Sequence, residues 1–327
     1  ERTIPMKKYI PTFVAVLMTL AFYQFAEAEE ISKHLQNISV TVKAPGNFGT
    51  SQGSGVIITR EIRASKDDNT KSSVNFIWTA AHVIDNLRST RTITENGQTK
   101  KVVEFKEAQI VQELVENGRK VGEVKMDCKV IRYSDADEGE DLALLMVRKK
   151  GFVKPSAEFY LGDEIIPIGT ELFHVGSLLG QVGSNSMTRG IMSKVGRVLD
   201  IGEGEGTVFD QTTVTAFPGS SGGGVYLKSN AQYIGMLVRG AGEGFNLIVP
   251  VRRMVDYCEK HKIMWALDPS LPMPSEDEIK NIPVEHEPKV EKKEDSKETK
   301  KAKKEFPFRL RVEKYKTSPK EMLEIKP

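Results

Sequence analysis

The sequence predicts an all-β fold, a barrel or sandwich with one helix near its end. Three observations carry this. Short alternating or β-branched runs recur between Ile31 and Leu267, among them "ISVTV", "GSGVIIT", "VNFIWTA", "LALLMV", "YIGMLV" and "FNLIVPV". Turn signals such as "APGN", "VENG" and "GEGEG" separate the runs, and many short strands so punctuated argue against a doubly wound sheet. No self-similarity at a period of roughly 20–50 residues is present, which excludes a repeat architecture.

The elements follow in chain order. Residues 1–28 read as a signal peptide or membrane anchor. Met6 opens a basic stretch with Lys7 and Lys8, an apolar run covers residues 9–25, and Ala26-Glu27-Ala28 supplies small residues two apart. The expectation is export, to a periplasm or the outside, with membrane attachment through residues 9–25 as the alternative. Residues 29–268 form the predicted folded unit, to which "KVVEF", "CKVIRY" and "ELFHVGS" add further strands. Its last element is a helix in "VRRMVDYCEKHKIMWAL", where Val251, Met254, Val255 and Cys258 recur at three- and four-residue steps. Residues 269–327 are predicted to be a charged, largely disordered tail, dispensable for catalysis beyond about Pro274. From Pro274 onward the sequence mixes both charges and has too few aliphatic residues to offset chain entropy, although "FPFRLRVEKYK" regains some alternation.

The 327 residues carry a formal net charge of +2, so the whole molecule lacks the electrostatic footprint of a nucleic-acid binder. Nor is there a phosphate-loop or dinucleotide fingerprint. His34, His82, His174, His261 and His286 are scattered, and the two cysteines lie far apart, so no metal-ligand spacing is formed and no cofactor is expected. Cys128 and Cys258 fit either one disulfide between a strand and the terminal helix or two buried free thiols.

Hydrolysis by a serine needs a hydroxyl, an imidazole to take its proton, a carboxylate to orient the imidazole, and N–H groups facing the developing oxyanion. His82 stands in "FIWTAAHVIDNL", where an apolar strand runs into small residues. Taken alone, a histidine at a strand end is more often structural or merely exposed than catalytic. Asp141 lies in "DEGEDLALLMV" directly beside a strongly apolar run, where burial demands a hydrogen-bonding partner. Asp137, Glu138 and Glu140 are the neighbouring alternatives, further from that run. In "TAFPGSSGGGVY", Ser220 and Ser221 are flanked by glycines that adopt positive φ and present bare N–H groups. Gly219 and Ser221 can offer two N–H groups to one oxygen.

In this order, "TAAH", "DLALL" and "GSSGG" resemble the signature segments of the chymotrypsin-like (trypsin-fold) serine peptidases, closest to the HtrA/DegP type. "QTTVTAFPGSSGGGVY", "MTRGIMSKVGR" and "GEGFNLIVPVRRM" extend the resemblance, which covers residues 33–265. It implies a double six-stranded β-barrel with the site between the barrels. It also implies His82 as general base, Asp141 as its orienter, Ser221 as nucleophile, and Gly219 and Ser221 as the oxyanion hole. Ser220 replaces the commoner Asn or Asp, Gly224 replaces Pro or Ala, and no PDZ-like domain follows Leu267. The expected substrate is a polypeptide, entering a pocket formed by Thr215, Val238, Arg239 and Gly240. With no acid at the pocket base, small or medium apolar side chains are expected there. A viral polyprotein-type serine protease with a membrane anchor, and a non-catalytic peptidase-like binding module, are the competing readings.

Overall fold

In the computed structural model, the described residues are 29–46, 49–65, 70–95, 98–116, 118–135, 140–199, 206–240 and 242–285. Residues 29–37 form a first helix, α1, leading into β1 (Ser39–Gly46), β2 (Gly49–Arg63) and β3 (Lys71–Thr79). A one-turn helix, α2 (Ala81–Ile84), then precedes a hairpin of β4 (Arg88–Glu95) and β5 (Gln98–Phe105). Next come β6 (Ala108–Glu116), β7 (Arg119–Ser134) and β8 (Leu142–Val147). The second half comprises β9 (Glu171–Leu178), β10 (Gly183–Leu199), β11 (Thr207–Thr212), β12 (Gly224–Leu227), β13 (Tyr233–Gly240) and β14 (Asn246–Pro250). The chain then continues into α3 (Val251–His261) and α4 (Glu276–Lys280).

Two closed barrels result, in the strand orders β1-β2-β3-β8-β7-β6 and β10-β11-β14-β13-β12-β9. The predicted double six-stranded barrel is what the chain forms. Closure abolishes the exposed edges that open sheets carry and gives each strand an inward face to bury. β3 and β8 show how local sequence meets that demand: "VNFIWT" and "LALLMV" are buried at every position.

That segment ties the chain together. Phe76 of β3 packs on Trp265 with ring centroids 5.0 Å apart. Trp78 Nε1 donates to Ala266 O at 3.1 Å, and Arg60 Nε donates to Trp265 O at 2.8 Å. α3 follows directly from the second barrel, so the segment after it laces that barrel onto the first.

The tail assignment needs correcting. Residues 269–285, placed in the tail by composition, are ordered against the first barrel. Ser275 and Glu278 form a reciprocal capping box at the start of α4, and Ile279 is buried. Beyond it, Val284 O accepts from Tyr133 N–H at 2.8 Å, and Arg88 grips the Glu285 carboxylate with Nη2 at 2.8 Å. A charged segment of this kind is held by a few directed contacts, which composition does not register. The rest of the proposed tail, and the signal or anchor segment, lie outside the described residues. Among the described residues no helix is long and apolar enough to cross a membrane. Cys128 on β7 and Cys258 on α3 are both free and buried, and burial pushes both thiols up.

Candidate active site

His82 sits on α2 at the end of β3. Ala80 and Ala81 are fully buried, so the chain turns there with no room for larger side chains and the imidazole is carried out to the cleft. Asp141 precedes β8 and is 4% exposed. Its carboxylate takes the His82 ring through Nδ1, at 2.8 Å from Oδ2 and 3.0 Å from Oδ1. Oδ1 also accepts the His82 backbone N–H at 3.0 Å, so one carboxylate fixes both the ring and its peptide. Asp141 adopts φ +53, a left-handed conformation that aspartate tolerates better than most residues. With Nδ1 donating to Asp141, Nε2 is left as the basic nitrogen.

Burial by itself lowers the His82 pKa. The hydrogen bond donated to Asp141 and the charge of that carboxylate outweigh it, and the net shift is upward. The charge of Arg239 acts in the lowering direction, which places this cation within electrostatic reach of the imidazole.

Ser221 lies between β11 and β12, on the second barrel, and converges with the His82 segment across Gly53. A Cβ built on Gly53 would meet Val83 at 2.5 Å and Ser221 O at 3.0 Å. The Ser221 hydroxyl is turned to Val238 O at 3.3 Å. The His82–Asp141 contact is therefore formed, while the expected hydrogen bond from Ser221 to His82 is not. Rotation about χ1 moves the hydroxyl between staggered wells. Ser220 has different surroundings: it is fully buried, and its Oγ accepts the Phe217 N–H at 3.1 Å.

Backbone direction around Ser221 is as important as its side chain. Pro218 O accepts from Leu179 N–H at 2.8 Å, and Ser220 O accepts from Gly223 N–H at 3.0 Å. Because the N–H and C=O of a trans peptide point oppositely, the N–H groups of Gly219 and Ser221 face the other way. Neither donates to a protein group among the described residues. Gly219 makes this turn at φ +96, and a Cβ there would lie 2.4 Å from Ser177 O.

Beside Ser221 opens a cleft of about 430 Å³, lined by Thr215, Pro218, Val238, Arg239, Gly240, Glu243 and Asn246 among others. All four residues expected to form the pocket are there. Thr215 lies exposed in the lining, whereas Asn246 is the buried polar side chain and donates to Val214 O at 2.6 Å. Glu243 was not singled out in the sequence; it follows a glycine in a turn and carries no periodic signal. Asp210 is absent from this lining, because Arg252 holds it through two bonds of 2.6 and 2.7 Å. Among the described residues, no cluster of three or more His, Cys, Asp or Glu side chains suits a metal ion.

A sequence profile of the trypsin-like peptidase domain matches residues 53–236, a span that contains His82, Asp141 and Ser221. The chain belongs to the trypsin-like peptidase domain family. Two solved structures are similar to this trypsin-like domain. One is the serine endoprotease from Yersinia pestis, 18% identical with a TM-score of 0.49, over 71% of this chain and 65% of that one. The other is the HtrA-type protease AlgW, solved with a tripeptide, 19% identical with a TM-score of 0.49, over 72% of this chain and 63% of that one. The similarity thus spans less than two thirds of either solved chain. No curated protein sequence matches it.

Proposed function

We propose that this trypsin-like domain is a serine endopeptidase. The observation that carries the reading is a serine with two uncommitted backbone N–H groups at its head, on a loop that meets the segment of an Asp-held histidine at Gly53. In the proposed reaction, Ser221 Oγ attacks the scissile carbonyl carbon while its proton passes to His82 Nε2. The carbonyl π pair moves to oxygen, and the resulting oxyanion accepts from the N–H groups of Gly219 and Ser221. Asp141 holds the tautomer and stabilises the imidazolium. Collapse breaks the C–N bond as His82 returns the proton to the departing amine, leaving an acyl-serine. Water, deprotonated by His82, then releases the acid and regenerates the hydroxyl. Each oxyanion donor of this kind contributes about 10²–10³ in rate.

The competing reading is a binding module that has kept the fold. Labelling with a fluorophosphonate probe separates the two without a known substrate. The expected result is stoichiometric labelling that Ser221→Ala abolishes and Ser220→Ala does not. An unlabelled, folded wild-type chain would leave the binding module standing. Export is part of the proposal and rests on the basic, apolar and small-residue pattern of residues 6–28; N-terminal sequencing of the mature protein tests it.

A further inference from the structure

The two barrels meet along a line of buried hydroxyls: Thr41 of β1, Ser54 of β2, Thr79 of β3 and Ser177 of β9, each at most 1% exposed. Thr41 Oγ1 and Ser177 Oγ are 2.6 Å apart. Ser177 N–H donates to Ser54 Oγ at 2.7 Å, and Thr79 Oγ1 donates to Ser54 O at 2.7 Å. A serine hydroxyl carries one proton. Since Ser54 Oγ already accepts from Ser177, that proton is free to be donated, and it goes to Gly219 O at 2.7 Å.

Four consecutive carbonyls around the nucleophile are thereby each held by a donor. Leu179 N–H takes Pro218 O, Ser54 Oγ–H takes Gly219 O, Gly223 N–H takes Ser220 O, and Ser54 N–H takes Ser221 O at 2.7 Å. Three of these donors are backbone groups that substitution leaves in place. The fourth is a side chain, and it acts at the glycine whose own torsions offer least resistance to rotation. We propose that Ser54 is a positioning residue for the reaction: its hydroxyl pins the Gly219–Ser220 peptide on one side of Gly219 while Leu179 holds Pro218 O on the other, and fixing both planes fixes the torsions of that glycine, so that the N–H of the Pro218–Gly219 peptide stays aimed at the oxyanion. This rests on the peptidase reading above. Without the hydroxyl, Gly219 O and Ser177 N–H are both left unmatched in a dry interface, and relaxation of the Gly219 torsions toward new partners turns the neighbouring Pro218–Gly219 peptide and its N–H. The nucleophile, base and orienter are untouched by that change, so the defect falls on the transition state and not on substrate binding.

The test uses the full chain with Ser54→Ala, and Thr41→Val as a control that removes a hydroxyl from the same line without touching Gly219. Ser54→Ala is expected to lower kcat on a peptide substrate about 10- to 100-fold with KM within about threefold. Binding of a peptidyl aldehyde, which forms the oxyanion, should weaken by the same factor. Thr41→Val should keep both within about threefold, although both variants melt earlier. Ser54→Cys keeps the volume with a weaker donor and should lose kcat in the same direction, which serves if the alanine variant does not fold. Amide exchange at Leu179, whose N–H holds Pro218 O, should accelerate in Ser54→Ala and not in Thr41→Val; this readout needs no turnover. The proposal is overturned if folded Ser54→Ala keeps kcat within about threefold, if Thr41→Val loses as much, or if Leu179 exchange is the same in both. A wild-type chain that hydrolyses nothing sinks the peptidase reading instead, and the exchange result then decides the role of Ser54 alone.

Discussion

The proton affinity of His82 is set by neighbours that pull in opposite directions. Burial and the Arg239 charge favour the neutral ring, while the Asp141 hydrogen bond and charge favour the cation and prevail. A raised pKa means that the base form appears only above the ordinary value of 6.5. The acid limb of kcat/KM should therefore lie above that pH, with rate lost as pH falls through it. Arg239→Gln removes a lowering influence and should move the limb to higher pH; a limb that stays fixed or moves down would contradict the placement of Arg239. The cleft beside Ser221 leads to a second residue-scale prediction. Burying an aliphatic side chain against Val238 and Pro218 is worth about 1.5–3 kcal/mol, whereas a lysine entering there leaves water with only exposed Glu243 nearby. Cleavage after small or medium apolar residues is expected, with Arg or Lys at least about tenfold poorer. A peptide library mapped at the residue before each cut measures this, and dominance of basic residues would place Glu243 as their counter-charge.

At the scale of elements, α4 and the three residues ending at Glu285 form a strap over the first barrel. Ile279 is buried, the capping box supports the helix start, and Arg88, Arg132 and Tyr133 hold the chain after it. Removing residues beyond 285 is expected to leave thermal stability unchanged. Ending the chain at Ser270 should cost roughly 1.5–3 kcal/mol from Ile279 alone, with about 1 kcal/mol more from the lost cap. Urea unfolding of the two truncations compares them; equal midpoints would show that the strap adds nothing. Strands varied in how plainly the sequence announced them. β3 and β8 are apolar throughout and were legible, and so was α3 from its spacing. β6 was missed, as was β11, whose six residues include Asp210 and Gln211. Such strands persist because their ladders close a barrel, and that constraint comes from neighbours distant in sequence.

At the scale of the whole molecule, His174 shows how the second barrel depends on a neutral interior. It is fully buried in β9, with Nδ1–H donating to Gly224 O at 3.0 Å and Nε2 without a partner among the described residues. Burial pulls its pKa from 6.5 to about 4, only partly opposed by that bond. Between these values the unfolded chain takes up a proton that the folded chain refuses. The contribution is present in full above about 6.5 and lost as pH falls toward 4, amounting to about 3 kcal/mol at most. Urea midpoints between these pH values should fall on acidification, and His174→Asn, which keeps a donor toward Gly224, should flatten the slope. An unchanged slope would assign acid sensitivity to other groups.

What the sequence determined by itself was local: which runs alternate, where glycines permit positive φ beside adjacent serines, and that an aspartate beside "LALL" needs a partner. Those properties depend on neighbours within a few residues, and they sufficed for an all-β chain and for a short list of candidates, His82, Asp141 with its acidic neighbours, and the Ser220–Ser221 pair, among which the resemblance to a family chose. Only the tertiary structure decided what faces what. Ser220 is spent on the Phe217 N–H, Asn246 is a buried polar wall of the cleft, and Asp210 is withdrawn onto Arg252. Thr41 meets Ser177 across 136 positions, and Ser54 reaches Gly219 across 165. No periodicity reports such pairings, because barrel closure brings the groups together: burial then requires each hydroxyl and carbonyl to find a partner wherever the chain has carried one.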